Sequence, residues 1–153
     1  PPGRAGGPEG GGPGLTAAAA AALPAVADHG EPYRAVAAVL SRYFDGLYHS
    51  DTAILKEVFH PLAHYVCATG DELVHKTMDA YFPIVDARPA PASRGETRVD
   101  EIVSIAFAGP VTAVARVRCA IGEKLFTDIL TLIRLDGRWQ IISKVFHYDL
   151  QPA

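Results

Sequence analysis

Residues 126–147 read FTDILTLIRLDGRWQIISKVFH. Two apolar runs of alternating pattern flank Asp136-Gly137, the signature of a two-residue type I′ hairpin. Such a loop pairs Leu135 with Arg138 and fixes the ladder behind it. Leu132 then faces Ile141, Leu130 faces Ser143, Asp128 faces Val145 and Phe126 faces His147. These residues and Trp139 share one face. Thr127, Ile129, Thr131 and Ile133 take the other, with Ile142, Lys144 and Phe146. A carboxylate at Asp128 therefore interrupts an apolar row. A single bulge would reverse part of this assignment, because the side-chain period of a strand is two.

The strand before it gives an independent reading. A two-residue turn at Gly122-Glu123 places Cys119 opposite Phe126, Val117 opposite Asp128 and Ala115 opposite Leu130, with Arg116 and Arg118 on the far side. Both turns send Asp128 to the more apolar face, the one a helix layer should cover. Period-two patterning spans four strands, about 99–107, 111–121, 125–135 and 138–148, separated by Gly109-Pro110, Gly122-Glu123 and Asp136-Gly137. In the first of these, Val103, Ile105 and Phe107 alternate with Ile102, Ser104 and Ala106, so either set can face inward.

Upstream the period changes. Val36, Val39, Leu40, Tyr43, Phe44, Leu47 and Tyr48 recur at three- and four-residue steps, one broad face of an amphipathic helix that begins near Glu31-Pro32. A shorter helix, Ala53–Phe59, stops before His60-Pro61, since the residue preceding proline disfavours helical dihedrals. Asp51 is placed to cap it. A small hairpin follows over 63–68 and 72–75. Thr77 then caps a third helix running to about Asp86. Helices first and a long meander after them predict an α+β domain, with three N-terminal helices covering one face of a curved antiparallel sheet.

Bulk properties narrow the function. The chain has 153 residues, 49% hydrophobic and 20% charged, with a formal net charge of −3. Lys and Arg are scattered, which argues against a nucleic-acid partner. No apolar run approaches a membrane span. Cys67 and Cys119 have no metal or redox spacing and read as buried small hydrophobes. Residues 1–30 form a Gly/Pro/Ala-rich tail expected to be disordered, leaving 31–150 as the domain. Within the tail, LTAAAAAALPAVA reads as low complexity in a cytoplasmic protein. The alternative is a secretory-signal remnant ending at Ala25-Val26-Ala27, in a secreted one.

A first helix ending in GLYHSD, then VFHPLA, an Arg-Pro after the third helix, and the closing FTDILTLIRLDGRWQIISKVFH resemble the nuclear transport factor 2-like superfamily. The nearest resemblance is to its SnoaL-like, Putative lumazine-binding branch. The likeness spans about residues 33–148. It implies a cone: a curved sheet around a cavity, closed by the long helix, in a chain that frequently forms homodimers through the outer sheet face. It does not imply one activity, because isomerases, cyclases, a dehydratase and non-catalytic domains share the fold.

The candidate site is the inner face of that cone. Desolvation there would poise the Asp128 carboxyl for proton transfer. His147, diagonal to it across the hairpin, and Tyr43, on the apolar helix stripe, are the candidate partners. Leu47, Tyr48, Val117, Phe126, Leu130, Trp139 and Val145 are expected to line the ligand space, and Lys144 falls on the opposite face. His60 and His64 straddle Pro61 and cannot share a helical face, so no metal is expected. No phosphate loop or dinucleotide fingerprint is present, and no cofactor is expected. The leading expectation is a protein binding a small, partly apolar organic ligand. A cofactor-free isomerase, cyclase or dehydratase using the same pocket is the alternative, and a non-catalytic dimerisation module is a third.

Overall fold

The computed structural model of the chain describes residues 30–152. The tail readings, disorder and signal remnant alike, concern residues outside that range. Helix α1 spans Gly30–Tyr48 and buries Val36, Leu40, Tyr43, Phe44 and Leu47 along the stripe its spacing predicts. Gly46 lies on that face against the second helix, α2 (Thr52–Val58). The Asp51 carboxylate accepts hydrogen bonds from the Ala53 and Ile54 amides at the N-terminus of α2, as expected of a cap. Strand β1 (Phe59–Cys67) and the short β2 (Val74–Thr77) make the first hairpin. Thr77 caps α3 (Met78–Ala87) through the Ala80 amide, and a 3-10 turn at Pro91–Arg94 leads into the meander. The meander is β3 (Asp100–Phe107), β4 (Thr112–Ile121), β5 (Lys124–Leu135) and β6 (Arg138–Leu150).

One sheet contains all six strands, in the order β2-β1-β6-β5-β4-β3. The expected α+β architecture stands, but the sheet is mixed rather than antiparallel, because β1 runs parallel to β6. That pairing joins segments some eighty residues apart, and no turn motif announces it. Pro61 sits in β1 where the pairing with β6 is irregular, between Phe59 and His64, and beyond the reach of β2. A residue with no N–H is tolerated at such a place. The helices pack on one face. The core between them and the sheet holds Leu40, Tyr43, Leu55, Phe59, Met78, Tyr81, Leu130, Leu132 and Ile141.

The two central turns are as the sequence predicts. Asp136 and Gly137 both take positive φ, 52° and 74°, as a type I′ turn requires, and Leu135 pairs with Arg138. Gly122 takes φ 59° between the paired Ile121 and Lys124. The predicted β4–β5 register holds throughout, with Val117 opposite Asp128.

The β5–β6 register does not hold beyond Leu132. Leu132 still faces Ile141, but Thr131 faces Ser143, so Ile142 is one extra residue in β6. This bulge shifts the ladder by one, placing Leu130 opposite Lys144, Asp128 opposite Phe146 and Phe126 opposite Tyr148. Lys144 and Phe146 turn inward, correcting their expected placement, while Val145 and His147 turn outward. A second irregularity between Ile102 and Ser104 leaves Val103 exposed while Ile102, Ile105 and Phe107 pack on the core. That change of phase explains why either alternating set in β3 read as the inner one.

Candidate functional site

Asp128 lies at the middle of β5, on the inner face, with no solvent exposure. α1 lies over it and delivers Tyr43, whose hydroxyl donates a 2.5 Å hydrogen bond to Asp128 Oδ2. The same oxygen faces Lys144 Nζ at 3.9 Å, an ion pair formed because the bulge turns Lys144 inward. The other carboxylate oxygen, Oδ1, is buried without a hydrogen-bond partner among the described residues.

Lys144 is 4% exposed. Five aromatic rings surround its ammonium group. The Phe146, Tyr65, Tyr43, Tyr81 and Phe126 centroids lie 5.0, 5.2, 5.4, 5.7 and 5.8 Å from Nζ. The negative faces of such rings attract a cation, and more strongly away from water. β1 supplies Tyr65 directly beside Lys144 in the parallel ladder. α3 supplies Tyr81, stacked on Tyr65 at 4.4 Å.

The electrostatics follow from this packing. Burial by itself drives the Lys144 ammonium toward its neutral form. Asp128, with smaller contributions from Tyr81 and Tyr65, outweighs burial and holds the group above its usual range. Burial, then the neighbouring Asp128, keeps the Tyr43 phenol protonated well above its ordinary value. The Cys119 thiol is pushed up to about 12, first by burial and then by Asp128. The cone thus contains a carboxylate, an ammonium and a phenol in contact, walled by aromatic rings.

A bay of about 490 Å³ lies beside the cluster, which itself does not line it. Tyr65, Phe126 and Phe146 form both the wall of this bay and part of the ring around Lys144, so one layer of rings separates bay and ion pair. Arg88, Lys124 and Tyr148 also line the bay.

The predicted residues divide accordingly. Tyr43, Leu47, Val117, Phe126 and Leu130 are buried in the interior with Asp128. Tyr48 turns away; its hydroxyl donates to the Glu96 carbonyl oxygen at 2.8 Å and the Arg98 guanidinium covers its ring. Trp139 packs against Phe107 at 5.9 Å and lines a separate groove of about 460 Å³ beside α1. Val145 and His147 face outward, where His147 meets the Thr69 hydroxyl at 2.9 Å and the Asp149 carboxylate at 3.0 Å. The pairing of His147 with Asp128 is therefore corrected by the bulge. His60 Nδ1 accepts from the Leu62 amide, and His64 packs on the His75 ring. Both cysteines are free and buried.

Sequence reasoning missed Lys144, Tyr65 and Tyr81 as inner groups. One signal was present: Trp139 and Ile141 occupy odd positions, whereas Phe146 and Tyr148 occupy even ones. The adjacent Ile141-Ile142 pair is where that phase changes. Among the described residues, no helix is long and apolar enough to cross a membrane.

Comparisons with known proteins agree with this fold. An NTF2-like protein of unknown function from Shewanella baltica OS155 superposes with a TM-score of 0.73 at 25% identity, covering 84% of this chain and all of its own. One from Silicibacter pomeroyi DSS-3 gives 0.70 at 26%, covering 80% and 100%. The aldolase FrzH of a Cladobotryum species is 27% identical over 117 residues, which are 75% of this chain and 90% of that enzyme. The Putative lumazine-binding family profile matches residues 31–147. The chain is a member of the Putative lumazine-binding family and has the NTF2-like fold.

Proposed function

We propose that this protein binds a small, partly apolar organic molecule in the bay walled by Tyr65, Phe126 and Phe146, above the Tyr43–Asp128–Lys144 cluster. The observation that carries this reading is the cluster itself. A buried ion pair costs several kcal/mol of desolvation per ion and is weak as a device for stability alone. The bay beside it is walled by aromatic rings with a few polar side chains, the usual composition of a ligand site. Native mass spectrometry of the full chain purified from cell extract is expected to show a retained organic molecule. Its loss in Phe146→Ala, with the fold intact, would place it in the bay. Retention undiminished in that variant would overturn the assignment.

A second reading is favoured by one observation, the unpartnered Asp128 Oδ1. A carboxylate oxygen free of hydrogen bonds would take a proton beside a carbonyl once the ring layer parts to admit the substrate, with Tyr43 and Lys144 placed to stabilise charge. This fits a cofactor-free acid/base enzyme. An aldolase among the relatives is consistent with carbonyl chemistry. We also propose a homodimer through the outer face of the sheet, where Val103, Val114, Ile129 and Val145 are exposed.

A further inference from the structure

Arg88 ends α3 and lines the bay. Its Nε and Nη2 atoms are covered from solvent and have no hydrogen-bond partner, and no carboxylate among the described residues pairs with it. These two nitrogens form one edge of the guanidinium plane, the edge that grips a carboxylate with two parallel N–H···O bonds. Leaving polar atoms covered and unpaired costs the full desolvation of the group, more so when the group is charged. Such a cost is unusual for arginine, whose long stem normally lets the charged head reach water.

The surroundings point the same way. Lys124 and Arg94 also line the bay, against one carboxylate, Glu123. Arg94 is engaged with Glu96 at 3.8 Å, and the Lys124 ammonium lies 4.4 Å from the Tyr148 ring centroid. The bay is thus locally positive on a chain of net charge −3. Its remaining wall is aromatic: Phe126 and Phe146 lie 5.6 Å apart, and Phe126 and Tyr148 6.0 Å.

Resting on the ligand-binding reading above, we propose that the bay selects organic acids, with Arg88 gripping the ligand carboxylate side-on and the rings holding its flat or apolar body. Arg88 reaches the ligand by rotation of its flexible stem, since it already lines the cavity. The carboxylate then satisfies both orphaned donors.

Calorimetric titration of the full chain with 2-naphthoate and with its neutral analogue 2-naphthamide tests this at low ionic strength. Wild type is expected to bind the acid at least tenfold more tightly than the amide. Arg88→Met should erase that preference while leaving the amide affinity within about twofold, which also reports that the bay is intact. Arg88→Gln, with a polar end of similar reach, serves as a second variant and should lose the preference too. Equal affinities in wild type, or a preference that survives both substitutions, would overturn the proposal and leave the bay as a neutral-ligand site. Failure of both probes to bind wild type would overturn the ligand-binding reading along with it.

Discussion

A lysine ammonium and an aspartate carboxylate buried together depend on one another more than either does on its apolar neighbours. Removing one charge leaves the other uncompensated, at about 3–5 kcal/mol, whereas replacing both by apolar groups is often neutral. Asp128→Asn is thus expected to lower the unfolding free energy by ~3 kcal/mol, mainly through the stranded Lys144, since the amide oxygen can still accept the Tyr43 hydroxyl. Adding Lys144→Met should restore most of it. Urea titration of the two single variants and the double measures this, and additive losses would show that the groups do not interact. Ligand effects of Asp128 are therefore best read in a Lys144→Met background. The same cluster predicts a pH dependence. An unfolded chain sheds the Cys119 proton from about pH 9, but the folded chain holds it to about 12. Lys144 and Tyr43, also held above their ordinary values, act in the same direction. The native state binds more protons at high pH, so stability is lost as pH rises through this range. Urea midpoints should fall steadily from pH 9 to 11, with a shallower fall in Cys119→Ala. An equal slope in that variant would remove Cys119 from the account.

At the scale of elements, what could be read in advance was whatever local chemistry specifies. Asp51 and Thr77 cap their helices because a short side-chain oxygen beside a free amide is a local matter. Asp136-Gly137 and Gly122-Glu123 set their turns for the same reason. The bulge at Ile142 is not local. It pairs Tyr65 of β1 with Lys144 and brings Lys144 to Asp128, contacts between segments far apart in the chain. The mis-assignment of Val145, His147 and Lys144 thus has a single cause, one unpaired residue, and the distant partners that reward it are absent from any local window. Deletion tests this. Without Ile142 the ladder becomes regular and still places Lys144 opposite Leu130, so the variant should fold cooperatively. Without Val145, His147 is drawn opposite Asp128 and Phe146 is expelled, so cooperative unfolding by circular dichroism should be lost. Two equally cooperative variants would mean that register beyond the bulge is loosely held. The contact between α1 and α2 makes a second case. A Cβ on Gly46 would lie 2.5 Å from Leu55 Cδ2 and 2.9 Å from its Cγ, and Leu55 is fully buried. Alanine is the better helix former by about 1 kcal/mol, but overpacking costs about 1–3 kcal/mol. Gly46→Ala should therefore lose stability, and a raised melting temperature would show that Leu55 has room to move.

For the whole molecule, the sheet separates two kinds of surface. The inner face meets the helices and carries the polar cluster. No helix among the described residues covers the outer face, yet it carries Val103, Val114, Ile129 and Val145 with substantial exposure. Single exposed apolar residues are ordinary, but several on one sheet face mark an interaction surface. Ile129 and Val145 are direct cross-strand neighbours, and Arg116 lies next to Ile129 in the same row. A twofold-symmetric contact would bring this row against itself, burying the valines and leaving Arg116 near the axis with its partner copy. Arg116→Glu puts a carboxylate into that apolar strip and should weaken self-association at least tenfold. The inner cluster lies on the opposite face, so the melting temperature at low protein concentration should stay close to that of wild type. Sedimentation velocity across a concentration series measures both forms. The wild type is expected to shift toward a dimer as concentration rises, with the variant lagging, whereas coincident profiles would assign the exposed valines to the surface of a monomer.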